Sequence, residues 1–432
     1  MASRVGYGWG GWEFALRLAV ATLLALHLGY GAASAQPIPD RRKDQFPTEP
    51  AYLFVPLPYS IPGIGSGLFL LGNLSNVSES TADALIIYIV GDVEGYIVRL
   101  DEIPLISERL LLEVPAGNIS KVVIRSYEQR GMDTKKDEFI NLEIGSSQFF
   151  APSLTLTFFD RRLDLLAGMA MQRQELEALR DSKGKLIVKL DEPTVSEQES
   201  TFYGLRIDLT DDFQDPRKGI RLLLRNSSSP ATDPDEAEFD VVSYNATIYF
   251  PVGEISTLAF NYFQSDAIVK REGNTDRTAI EDELGIVCPV GDTECEKALE
   301  EQIDNTVAER KYGTADSLGG LNRLRSYPLA RFQGAHTAFY GVEFRWNLTD
   351  ELTPFDYLFW KDVRTGLQLA FFAETGTVAE TRGELWDESR ESYGMGLRLI
   401  TGSGSVYRAD YATGDEGGEL TVFFFYPWGQ DF

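Results

Sequence analysis

GGLNRLRSYPLARFQGAHTAFYGVEFRWNL, residues 319–348, divides into two halves of opposite character. The first half reads as a loop. Gly319 and Gly320 free the backbone, and Pro328 withdraws a ladder donor. The second half alternates. Ala338, Tyr340, Val342, Phe344, Trp346 and Leu348 fall on one face. Thr337, Gly341, Glu343, Arg345 and Asn347 fall on the other, with Phe339 the one apolar member of that set. Such period-2 alternation predicts a β-strand. One apolar face and one charged face suit a barrel wall between lipid and a polar lumen.

The rest of the chain fits that wall. Arg4 and Arg17 precede the apolar run 18–28, and Ala33-Ser34-Ala35 is a small-residue cleavage pattern, so residues 1–35 read as a secretory signal peptide. Beyond it no run approaches the roughly 18 uninterrupted apolar residues of a membrane helix. An exported chain of this kind either dissolves in the periplasm or spans the membrane as a barrel, the only non-helical way to satisfy its backbone in lipid. A formal net charge of −26 argues against nucleic acid. Residues 36–64 hold prolines at 37, 39, 47, 50, 56, 58 and 62 and read as a Pro-rich periplasmic tether.

Residues 65–432 then form the barrel. Strand patterns fall at 68–75, 84–90, 95–103, 119–127, 153–158, 203–209, 242–250, 258–262, 337–348, 367–375, 393–400, 406–412 and 419–426. The expected fold is all-β, an antiparallel transmembrane β-barrel of about 16 strands, with about 23 residues per strand and connection. That leaves room for membrane strands of roughly 9–11 residues. Residues 181–198 and 226–238 read as polar connections. The long extracellular loop, about 271–335, exceeds what a packed domain normally tolerates, which marks it as functional or mobile. Within it, Ala298, Leu299, Ile303 and Val307 make one helical stripe, predicting a short helix over the barrel mouth.

Candidate chemistry is sparse. Cys288 and Cys295 lie in CPVGDTEC, and export makes a disulfide the expectation. A metal site is the rival, but no histidine lies nearby and two thiolates make a poor cage. His336 opens a strand, without a nucleophile-elbow pattern, so neither catalysis nor a cofactor is expected. Arg206, Asp208, Arg345, Arg398, Arg408 and Asp410 read as lumen charges, either a transport path or mutually paired fillers.

Three motifs in order resemble the BamA/TamA-type outer-membrane superfamily, the bacterial surface antigen family. GGLNRLRSYP followed by GVEFR is similar to its GG…RGY/F loop and G-x-E-x-R strand. LAFFAETGTV, residues 369–378, is similar to its F-x-D-x-G strand. YGMGLRL followed by YRADYATG is similar to its carboxyl end. Ser326 departs from the pattern, because the family usually has glycine there. The terminal Phe432, after the aromatic run 423–426, resembles the closing strand that the outer-membrane assembly machinery reads. The resemblance implies a short member without POTRA modules, since some 30 residues cannot fold such a module. It also implies that the long loop folds into the lumen and places Arg325 and Tyr327 there.

Parity supplies the partner. In 367–375 the set Gly366, Gln368, Ala370, Phe372 and Glu374 faces inward, and Gly376 continues it. Glu374 stands where the resembling family has the aspartate that meets its loop arginine, so Arg325 is expected to pair with Glu374. Glu343 is the rival partner. The implied role is insertion or translocation of proteins or lipids at the bacterial outer membrane. Outer-membrane lipids and a client outer-membrane or secreted protein are the partners. Two alternatives stay open: a passive pore plugged by the loop, and a surface-interaction or anchor barrel.

Overall fold

The computed structural model describes residues 45–428, except 128, 232–233, 254, 350–354, 358–359, 364 and 402–405. The expected signal peptide, the first part of the expected tether and Phe432 lie outside the described residues.

Alternating side chains and short turns generate a meander. Its strands are β1 (Ala51–Ile61), β2 (Gly65–Ser75), β3 (Asp83–Gly91), β4 (Glu94–Ile106), β5 (Leu110–Tyr127), β6 (Phe139–Phe150) and β7 (Ser153–Phe158). Next come β8 (Leu163–Arg180), β9 (Leu186–Asp208), β10 (Gly219–Ser229), β11 (Glu238–Val252), β12 (Ser256–Arg271) and β13 (His336–Asn347). A small separate hairpin, β14 (Phe355–Tyr357) and β15 (Trp360–Val363), precedes β16 (Thr365–Ala379), β17 (Arg390–Thr401), β18 (Val406–Gly414) and β19 (Gly417–Phe424). β6 and β7 both pair with β5 and β8, so they are two segments of one wall position, interrupted at Ala151 and Pro152. The ring closes between β1 and β19 into a 16-stranded antiparallel barrel. Inside and outside follow the pleat. In β13, Tyr340 and Trp346 are exposed on the outer face, while Phe339, Glu343 and Arg345 are buried within.

The first wall strand lies inside the stretch expected to be a tether, which corrects the start of the barrel from residue 65 to residue 51. Pro56 and Pro58 made that stretch read as linker. Yet β1 pairs with β2 along all 11 of its residues. A ladder unbroken across two prolines puts their missing N–H groups on the opposite edge, toward β19. The closing strand also ends earlier than expected, at Phe424 instead of Tyr426.

Residues 186–198, expected to be a connection, belong to β9, which runs for 23 residues. At about 3.3 Å per residue it is far longer than the bilayer requires. Its first part, residues 186–201, pairs with β8 and carries Lys189, Asp191, Glu192, Glu197 and Glu199. Charged residues fall on both of its faces, so the alternation that signals a membrane strand is missing. Similarly, 226–238 contains the end of β10 and leaves a connection of only 230–237.

Strand alternation places the 272–335 connection at the same end as these projecting strands. It carries α1 (Arg277–Leu284) and α2 (Thr293–Tyr312), the second longer than its sequence stripe suggested. Ile280, Ala298, Leu299 and Ile303 pack with Ile140 of β6 and Leu179 of β8. The projecting strands thus give the helices a core at this end of the barrel.

Candidate functional site

After α2 the chain turns into the barrel. Gly319 (φ 105°) and Gly320 (φ 96°) take left-handed conformations that favour glycine. Their N–H groups donate to the carbonyls of Arg323 (3.0 Å) and Tyr327 (2.8 Å). Leu318, Leu324, Tyr327 and Phe332 pack against the inward Phe263, Phe339 and Val378. The non-glycine at 326 is accommodated because the left-handed residue of the tip is Leu324 (φ 51°). Ser326 N–H donates to Ser392 Oγ at 3.1 Å. Tyr327 packs on Phe332, and its hydroxyl donates to the Glu391 carbonyl at 3.2 Å. A Cβ at Gly376 would stand 2.7 Å from Leu318 Cδ1, so that glycine lets the loop approach the wall.

Arg325 is the centre of the contact and is wholly buried. Its backbone N–H donates to Glu374 Oε2 (2.9 Å) and its Nε to Glu374 Oε1 (2.8 Å). One terminal nitrogen donates to Asp410 Oδ2 (2.7 Å), the other to Glu343 Oε2 (3.2 Å). The guanidinium carbon lies 3.4 Å over the Phe372 ring. Both sequence candidates, Glu374 and Glu343, therefore touch Arg325. Asp410 was read only as a lumen charge, and no local signal distinguished it as a third partner. Glu343 also accepts from Arg345 (2.8 Å) and Arg398 (2.7 and 2.5 Å), and Asp410 from Arg408 (2.6 Å). Buried ions need such partners, because desolvation of an unpaired charge exceeds any single contact.

The carboxyl tail joins the same interior. Phe425 (φ 65°) turns the chain inward, and Tyr426 and Trp428 are buried. Tyr426 Oη donates to Asp215 Oδ1 at 2.6 Å, and Trp428 Nε1 to the Asn322 carbonyl of the loop at 3.0 Å. Trp428 also packs edge-on to Phe339. Arg408 ties the two segments, donating to the carbonyls of Phe425 (2.9 Å) and Leu321 (2.6 Å). On the other side of the ring closure, Leu329 N–H donates to the Pro62 carbonyl at 2.8 Å. The loop thus contacts both flanks of a seam that, among the described residues, consists of one register pair, Ser60 with Val422.

At the opposite end the 209–218 turn folds inward. Arg206 pairs with Asp164 (2.5 Å), Arg221 with Asp208 (3.2 Å) and Arg217 with Asp215 (3.2 Å). Arg161, Arg206 and Arg221 surround the Phe213 ring. Between the loop and the wall of β10–β12 a cavity of about 300 Å³ remains, lined by Asn245, Phe263, Asp316 and Arg323 among others. Cys288 and Cys295 are joined by a disulfide at the start of α2. His336 Nδ1 lies 2.7 Å from Asp266 Oδ1 at the rim.

No family model matches the sequence, and no curated protein matches it. Among solved structures, the chain is similar to BamA from Haemophilus ducreyi lacking POTRA domains 1–3, at 12% identity and a TM-score of 0.47, covering 88% of this chain and 69% of that one. It is also similar to CdiB from Escherichia coli, at 12% identity and a TM-score of 0.48, covering 84% of this chain and 60% of that one.

Proposed function

We propose that this barrel sits in the bacterial outer membrane and inserts or translocates polypeptides or lipids there, working through the seam between β1 and β19. The observation that carries the reading is the seam itself, a single register pair in a ring whose other wall neighbours pair along much of their length. The β1 edge facing it offers N–H and C=O groups at Tyr52 and Phe54 but no N–H at Pro56 and Pro58, and the Pro58 carbonyl already accepts from the Tyr407 hydroxyl at 2.5 Å. An incoming strand could add to that short edge. The plugged lumen argues against a passive pore, because the loop, the tail and the 209–218 turn fill it with paired side chains. Exposed apolar residues such as Leu68, Leu70, Phe371, Leu397 and Tyr411 form the lipid-facing surface. The reading assigns no catalytic step and no cofactor.

A seam lock tests it. Directly opposed strand residues stand close enough for a disulfide, so Ser60→Cys with Val422→Cys should bridge. The background carries Cys288→Ser and Cys295→Ser. In vesicles, the locked protein should not accelerate folding of an added unfolded eight-stranded barrel, and reductant should restore the acceleration. Equal activity locked and unlocked would overturn the reading.

A further inference from the structure

The ion-pair network of the inner wall is unbalanced. Arg325, Arg345, Arg398 and Arg408 face Glu343, Glu374 and Asp410, all of them buried. The shortfall is greatest at one side chain, Arg345; Arg398 leaves only its Nε unmet. Arg345 spends its Nε on Glu343, but both of its terminal nitrogens lack a hydrogen-bond partner among the described residues. Its direct cross-strand neighbour on β12 is Thr257, whose buried hydroxyl also lacks a partner. On the other side its register partner is Ala370, which carries only a methyl group. The Tyr426 ring lies 3.8 Å from the guanidinium carbon and the Tyr249 ring 5.4 Å away. The nearby carboxylate reached by Tyr426, Asp215, is already paired with Arg217.

Two unmet guanidinium nitrogens, an unmet hydroxyl at the paired position of the next strand, small flanking residues and an excess of one positive charge describe an incomplete site. A buried donor left unmet is unfavourable, and a buried cation without a counter-charge more so. Water would satisfy the donors but leave the charge. We infer that Arg345 and Thr257 bind a small monovalent anion of the chloride class, which completes the luminal network beneath the loop. The site is independent of the seam reading.

The experiment uses the full barrel in detergent, with chloride as the probe and isethionate of equal ionic strength as the control. The unfolding midpoint of the heat-modifiable form should rise saturably with chloride and not with isethionate. Arg345→Gln should abolish the dependence. Thr257→Val, which retains volume, should weaken the apparent chloride affinity at least about ten-fold, as loss of a hydrogen bond to a charge implies. If Arg345→Gln does not fold, Thr257→Val and anomalous diffraction from a bromide-grown crystal decide. A bromide peak beside Arg345 supports the site. Midpoints that follow ionic strength alone, chloride affinity unchanged in Thr257→Val, or no bromide peak there would overturn it.

Discussion

Replacing Arg325 with methionine keeps an unbranched stem over Phe372 and removes the guanidinium. The three carboxylates around it do not suffer equally. Glu343 retains Arg345 and Arg398, and Asp410 retains Arg408. Glu374 has no other cation among the described residues; only the backbone N–H of residue 325 would remain to it. Breaking a buried pair and stranding one ion costs about 3–5 kcal/mol. That is a loss of roughly two to almost four orders of magnitude in the ratio of docked to undocked loop. Hydrogen exchange read by mass spectrometry on peptides spanning 319–330 measures it directly, since amides there exchange through undocking. Arg325→Met should accelerate them by that factor. Adding Glu374→Gln removes the stranded charge and should recover most of the protection. Adding Glu343→Gln should not, because Glu343 is still needed by two other arginines. Unchanged exchange in Arg325→Met, or recovery with Glu343→Gln instead, would refute the reasoning.

Gly341→Ala drives a methyl into the Trp428 ring; we expect a cost of about 1–3 kcal/mol and faster chymotryptic cleavage at Tyr426 or Trp428, with an unchanged rate counting against a docked tail. Pro58→Thr restores a donor on the seam edge opposite the end of β19. It should stabilise the heat-modifiable form by about 0.5–1.5 kcal/mol, whereas no change in midpoint would mean that the prolines do not weaken the seam. Cys288→Ala with Cys295→Ala should loosen the helical cap by about 2–3 kcal/mol, seen as faster exchange across 277–312, while leaving the barrel midpoint in place. In the wild type, alkylation without reductant should leave both thiols unlabelled.

The sequence alone determined the barrel class, the long alternating strand at 337–348, the loop break before it and the inward parity of Glu374. These follow from geometry within a few residues, since the pleat sends successive side chains to opposite faces and lipid imposes an apolar one. Where charges sit on both faces the signal vanishes, and residues 186–198 of β9 read as a connection for that reason. Proline misled at 51–61 because its meaning depends on which strand edge loses the donor, and only closure of the ring assigns the edges. The tertiary structure alone decided that Ser60 meets Val422 from opposite ends of the chain. It also brought Asp410 to Arg325 beside Glu374 and Glu343, and sent Tyr426 and Trp428 inward instead of along the wall. Each of these depends on curvature and register accumulated around sixteen wall positions, a long-range quantity that no local pattern of residues encodes.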